Sequence, residues 1–286
     1  GEVTDDRGSA ITKRGVCYAI TQEPTIDDSK IERGSGLGIF TGEISGLVPG
    51  TTYYVRAYAT NGNGTSYGKE KSFTTDIALA IIQTIDATDI DTTTAVVGGK
   101  IITDGGATII ERGICYAKTD KPTIESNKVI GNTKEDEFVC LLKDLEISTK
   151  YYACAYATNE KGTSYGDVVV FITNSTLPKI TTSNATEVTD TSAVVSGNII
   201  SDGGSTITAR GICYGINPEP TLQDSHIDAG EGIGEFKCAL HSLKFNTKYY
   251  ARAYATNSNG IIYGNQITFT TSKARPVVST TQPTSI

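Results

Sequence analysis

The sequence predicts an all-β chain built from tandem sandwich modules. One segment recurs three times at a fixed step of 98 residues. Within each copy, short runs rich in Thr, Ile, Val and Tyr alternate in polarity, as half-buried strands do. Turn residues punctuate the runs, and no stretch sustains a helical spacing.

The repeat is read from its motifs. Arg-Gly-Val-Cys-Tyr starts at Arg14, and Arg-Gly-Ile-Cys-Tyr starts at Arg112 and again at Arg210. The tyrosine pairs at Tyr53, Tyr151 and Tyr249, Ala-Tyr-Ala-Thr-Asn at Ala57, Ala155 and Ala253, and Tyr-Gly at Tyr67, Tyr165 and Tyr263 keep that step. A solenoid unit spans ~20–50 residues, so this period is too long for one. It suits an independent sandwich domain of ~100 residues.

In the third copy the alternation predicts strands over 179–183, 192–200, 208–214, 235–241, 248–256 and 266–271. Asp202-Gly203-Gly204 and Asn257-Ser258-Asn259-Gly260 mark turns between them. Predicted boundaries are 1–75 for an incomplete module, 76–173 and 174–271 for complete ones, and 272–286 for a lone first strand. Joints of a few residues restrict interdomain motion. The expected array is an elongated rod, each module adding ~33 Å from strands of ~10 residues at ~3.3 Å each.

The every-second-residue run Leu47, Pro49, Thr51, Tyr53, Val55, Ala57, Ala59 resembles the fibronectin type III signature around its sixth strand. In that signature a Leu and a corner Tyr mark the strand's start, so the matching tyrosines are Tyr53, Tyr151 and Tyr249. The Arg-Gly-Ile-Cys-Tyr and Tyr-Tyr-x-Arg-Ala-Tyr-Ala-Thr-Asn wording is similar to fibronectin type III-like modules of Bacteroidetes-type surface and secreted proteins. The resemblance covers essentially the whole chain. It implies immunoglobulin-like sandwiches and an extracellular or bacterial cell-surface location. The family's second-strand core Trp is absent, and its place falls on Gly99 and Gly197, so another side chain must fill that volume. No Arg-Gly-Asp precedes the last strand.

Registering the copies makes the ends informative. Gly1-Glu2-Val3-Thr4 aligns with Gly197–Ile200, so the first copy has no first strand and little of its second. Pro276-Val277-Val278-Ser279-Thr280-Thr281 aligns with Pro178–Ser183, a first strand. One reading is a fragment of a longer array. The other is a polymerising subunit whose open first domain accepts that strand from a neighbour, as in donor-strand complementation.

Six cysteines are present. Cys17, Cys115 and Cys213 share one repeat position, Cys140 and Cys238 another, and Cys154 replaces the arginine of Arg56 and Arg252. No Cys-x-x-Cys spacing suggests a metal site. Alternation sends Cys238 inward and Cys213 to the opposite face, so these two cannot meet. Cys115 and Cys154 fall on neighbouring strands and one face. The alternatives are free thiols acting as small hydrophobes and a single Cys115–Cys154 bridge.

The sequence carries little chemistry. His226 and His241 are its two histidines, both in one copy, and they read as surface residues. No nucleophile elbow, zinc-protease helix or phosphate loop occurs. Asp104 and Asp202 begin Asp-Gly-Gly turns, whereas calcium normally takes 6–8 oxygens. Glu135-Asp136-Glu137 reads as a solvated loop. A net charge of −7 and scattered basic residues argue against nucleic acid or anionic membrane as partner, and no apolar run approaches the ~18 residues of a spanning helix. Asp91-Thr92-Thr93 and Asp190-Thr191-Ser192 resemble a short bacterial O-glycosylation pattern.

One face remains. Alternation points Tyr54, Arg56 and Tyr58 outward, with Tyr152 and Tyr156, and Tyr250, Arg252 and Tyr254, in the other copies. They either cover the strand glycines Gly15, Gly113 and Gly211 or form a stripe for a glycan or protein ligand. The leading expectation is a non-catalytic structural array, a stalk or filament subunit with no cofactor, acting by self-association or within a longer array of like domains. The alternatives are a carbohydrate- or protein-binding adhesin and an accessory spacer of a secreted glycan-active enzyme.

Overall fold

The computed structural model describes residues 1–132, 135–274, 276, 278 and 279. Among them every regular element is a β-strand. By compactness the chain forms two units, which cut it differently from the sequence period. Residues 1–87, 96–141 and 152–170 form the first, and 88–95, 142–151 and 171–286 the second.

The third module shows the fold in full within the second unit. Its strands are Lys179–Thr182, Ala193–Ser201, Ala209–Gly215, Ser225–Asp228, Gly234–Leu240, Lys248–Asn257, Gly260–Tyr263 and Ile267–Thr270. Six of these match the sequence expectation to within one residue at each end. The additions are Ser225–Asp228 and Gly260–Tyr263, four residues apiece, too short for alternation to reveal. Gly260 pairs with Asn257, so Ser258-Asn259 is a two-residue hairpin loop.

The first, second and fifth strands make one sheet, in the order first, second, fifth. The other sheet runs fourth, third, sixth, seventh, with the last strand also pairing the sixth. The second module repeats both sheets: Ile81–Thr88, Ala95–Thr103 and Glu137–Leu142 in one, and Asn127–Ile130, Glu111–Ala117, Lys150–Asn159, Gly162–Tyr165 and Val169–Ile172 in the other. The first module has the larger sheet, Ser29–Glu32, Lys13–Ala19, Thr52–Asn61, Gly64–Tyr67 and Lys71–Thr74. Of the smaller sheet it has Glu2–Val3 paired with Gly38–Ile39.

Alternation places the core between the sheets. Val195, Ile212, Leu240, Ala251 and Ala253 are fully buried together with Ile199 and Phe236. The vacancy at the missing Trp is filled from across the sheet. Gly197 lies opposite Phe236, and a Cβ on Gly197 would sit 2.3 Å from the Phe236 ring and 2.8 Å from the Ala253 methyl. Gly99 stands in the same relation to Phe138 and Ala155, at 2.6 and 2.8 Å. A phenylalanine one strand away thus occupies the tryptophan's volume, and glycine is what lets its ring lie flat.

The corner tyrosines close each sixth strand. The Tyr53, Tyr151 and Tyr249 hydroxyls accept from the N–H groups of Val48, Glu146 and Lys244 at 3.1, 3.1 and 2.9 Å. Each spans five residues upstream, the tyrosine-corner geometry.

Candidate functional site

The arginine, glycine and cysteine of the Arg-Gly-x-Cys-Tyr motif are engaged within the fold. Arg14 donates to the carbonyls of Gly36, Leu37 and Gly38, and Arg210 to those of Gly232 and Ile233. Their guanidinium groups stack over Phe40 and Phe236 at 5.4 and 5.1 Å, and Arg112 over Phe138 at 6.0 Å. The arginine thus fastens the fourth-to-fifth-strand loop onto the same ring that fills the tryptophan site.

The glycine separates the two readings of the outer tyrosines. Tyr58, Tyr156 and Tyr254 are not an exposed stripe, being only 3, 0 and 3% accessible. Each lies opposite Gly15, Gly113 or Gly211, with its ring on the glycine. Alternation assigned the correct face. What it could not show is that the loop carrying Pro24, Pro122 or Pro220 folds over that face and makes a second small core. Tyr54, Tyr152, Tyr250, Arg56 and Arg252 are half-buried. Arg56 and Arg252 stack on Tyr67 and Tyr263 at 4.4 and 4.7 Å, and those two hydroxyls, like that of Tyr165, accept from an N–H of the proline loop.

The cysteines join the same two cores. Cys115 faces Cys154 across the third and sixth strands, and the two pack with Tyr156 and Ile124. All six thiols are buried and unlinked. Cys17 and Cys154 donate to the carbonyls of Pro24 and Pro122 at 3.2 and 3.3 Å. Burial raises the Cys115 and Cys213 thiols to about 12, and Cys140 and Cys154 to about 11. These thiols stay protonated when folded, so they are poor nucleophiles.

The sign for stability follows. Unfolded thiols ionise near pH ~8.5, so the contribution is complete below that pH and is lost as pH climbs toward the folded values. Urea midpoints should hold up to about pH 8 and fall steadily by about pH 10. A midpoint unchanged across that range would contradict the burial of the thiols.

The aspartates of the Asp-Gly turns are engaged in the turns themselves. Asp6, Asp104 and Asp202 accept from the N–H of Gly8, Gly106 and Gly204 at 2.9, 2.8 and 2.9 Å. His226 sits edge-on to Tyr254. Among the described residues no cluster of three or more His, Cys, Asp or Glu could hold a metal ion, and no helix is long and apolar enough to cross a membrane.

What sets the first module apart is a cleft. In the third module Thr182 lies over the sixth strand, where its hydroxyl accepts from Ala253 N–H at 2.9 Å. Its own N–H and C=O pair with the Asn265 amide at 2.8 and 2.9 Å. In the second module Thr84 does the same for Ala155 N–H, at 3.0 Å. Ala155 and Ala253 are accordingly fully buried. A Cβ on Gly166 or Gly264 would strike the Thr84 or Thr182 hydroxyl at 2.6 or 2.7 Å, so glycine makes room for the threonine.

The first module has the matching Ala57 and Gly68, and among the described residues no threonine hydroxyl pairs with the Ala57 amide. Val3, Phe40, Ala57, Ala59, Ser66 and Gly68 line a cleft of about 260 Å³. Ala57 is half-buried there. The core of this module is the smaller cluster Val3, Ile11 and Phe40, and Phe73 is 39% exposed where its counterparts Phe171 and Phe269 are 4 and 8%.

The sheet order and the corner tyrosines together fix the type of sandwich. Each complete module is fibronectin type III-like. No protein-family model matches the chain, and no curated protein matches it. Among solved structures it is similar to the crystal structure of chicken CNTN1 FN1-FN3 domains, with 18% identity over 94% of this chain and 91% of that one, at a TM-score of 0.35.

The strand expected to fill the cleft falls partly outside the described residues, which exclude Val277, Thr280 and Thr281. Pro276, Val278 and Ser279 are exposed.

Proposed function

We propose that this chain is a non-catalytic structural array of a bacterial cell surface, a stalk or filament element whose first module is completed by a strand from a like neighbour. The supporting observation is the cleft over Ala57 and Gly68, which repeats the groove that Thr84 and Thr182 fill in the other modules. Pro276–Thr281 carries the matching pattern: Val278 stands at the position of Ile180, and Thr280 at that of Thr182. An added strand would bury Ala57, give its amide a hydroxyl partner and close an open sheet edge.

A synthetic peptide of residues 276–286, added to the full chain, tests this. At about 100 times its Kd it should stabilise the chain by roughly 2.7 kcal/mol. The Thr280→Val peptide should bind more weakly, because it leaves the buried Ala57 amide unpaired. A wild-type peptide that shifts melting no more than a scrambled one would defeat the proposal.

A further inference from the structure

The two joints between modules repeat one backbone contact. In the first, Gly50 N–H donates to Asp76 O at 3.2 Å, and Ala78 N–H to Gly105 O at 2.8 Å. A Cβ on Gly105 would sit 2.2 Å from Ala78 O, and one on Gly106 would sit 2.3 Å from Pro49 O. In the second, Ser148 N–H donates to Asn174 O at 3.2 Å, and Thr176 N–H to Gly203 O at 2.7 Å. A Cβ on Gly203 would lie 2.2 Å from Thr176 O, and one on Gly204 would lie 2.5 Å from the Ser148 Cβ. All four glycines have φ between +71° and +78° or at +79°. A Gly-Gly turn therefore seats against the sixth-strand corner of the module before it, and its first glycine must be bare for the linker carbonyl to pass.

The third module repeats the preceding-module half of this contact, and among the described residues nothing lies against it. Asn246, at φ +50°, donates to Ser272 O at 2.9 Å, as Gly50 and Ser148 do to their linkers. Ser272 N–H donates to Thr189 O at 2.9 Å, matching Asn174 to Asp91. Pro49 and Ile147, the apolar residues before the corner, are half-buried, whereas Phe245 is 59% exposed. The first module's turn is the exception. It reads Asp6-Arg7-Gly8, with Arg7 at φ +55° where the other turns have their first glycine, and a Cβ on Gly8 would meet nothing.

We infer that Phe245-Asn246 and Ser272 form a docking seat for the Gly-Gly turn of another module of this type, and that Arg7 makes this chain's own first module a poor occupant. The Arg7 Cβ would stand where a seated turn must admit the linker carbonyl. The inference rests on the strand reading, because the docked strand is what carries the seat to the turn. The seat therefore prefers a module bearing two glycines over a second copy of this chain.

Sedimentation of the full chain over a concentration series tests it. Arg7→Gly should strengthen self-association at least about tenfold, since it relieves the clash that forms only on seating. Asn246→Val, a β-branched residue at positive φ, should cancel that gain, and Phe245→Asp should weaken it. Unchanged association in Arg7→Gly, or a gain that survives Asn246→Val, overturns the seat. The 276–286 peptide begins beyond the joint and must bind wild type and Arg7→Gly equally. Peptide binding without an Arg7→Gly effect condemns the seat alone, and the absence of both condemns seat and strand reading together.

Discussion

Phe236→Ala in the third module should cost about 3–5 kcal/mol, the range for deleting a buried aromatic ring. The ring fills the volume above Gly197, packs on Ala253 and is itself covered by the Arg210 guanidinium. Removing it opens a cavity and takes away the surface on which Arg210 fastens its loop. Urea unfolding followed by tyrosine fluorescence reads the loss, the sequence having 15 tyrosines and no tryptophan. The cavity reading makes a second demand. Gly197→Trp alone should destabilise by at least about 1–3 kcal/mol through overpacking. Combined with Phe236→Ala it should recover part of both losses, a coupling visible in a double-mutant cycle. Additive losses would mean that Phe236 does not occupy the tryptophan's place.

Gly211→Ala should also destabilise, by about 1–3 kcal/mol, against the usual sign for replacing a glycine inside a strand. The added methyl would lie 2.0 Å from the Ile227 carbonyl oxygen and 2.7 Å from the Tyr254 ring. The carbonyl belongs to the neighbouring strand's backbone, so the sheet itself must shift to relieve the contact. Tyr254→Ala removes the ring from the other side and should cost about 3–5 kcal/mol, as for other buried aromatics. A neutral or stabilising Gly211→Ala would show that the ring does not need the glycine beneath it.

These two sites show how far the sequence could be read. The alternation that sends Cys238 inward does the same for Phe236 two residues earlier, and the resemblance marked Gly197 as the vacant tryptophan position, but neither says that the two face each other. That requires the register between second and fifth strands, set by residues 39 positions apart. The outer tyrosines were legible in part: a ring over a strand glycine was one of two readings, and the structure shows it. A period of two reports which face a side chain is on, and it is silent about a loop returning over that face, so the burial of Tyr58, Tyr156 and Tyr254 was not legible. The corner tyrosines were legible because their partners lie five residues away. The cleft itself was not legible, because it depends on Ala57 and Gly68 meeting across two strands.

The Thr182 clasp has a mechanical consequence. It ties the strand by which the chain comes into the third module to the sixth strand through Ala253 and to the segment just before the last strand through Asn265. Tension along the chain would load these bonds together, so they would have to rupture as a group before the module could extend. The second module shares part of the clasp through Thr84. Under the proposed strand completion, a threonine laid over Ala57 would extend the same clasp to the first module and let it bear a pull.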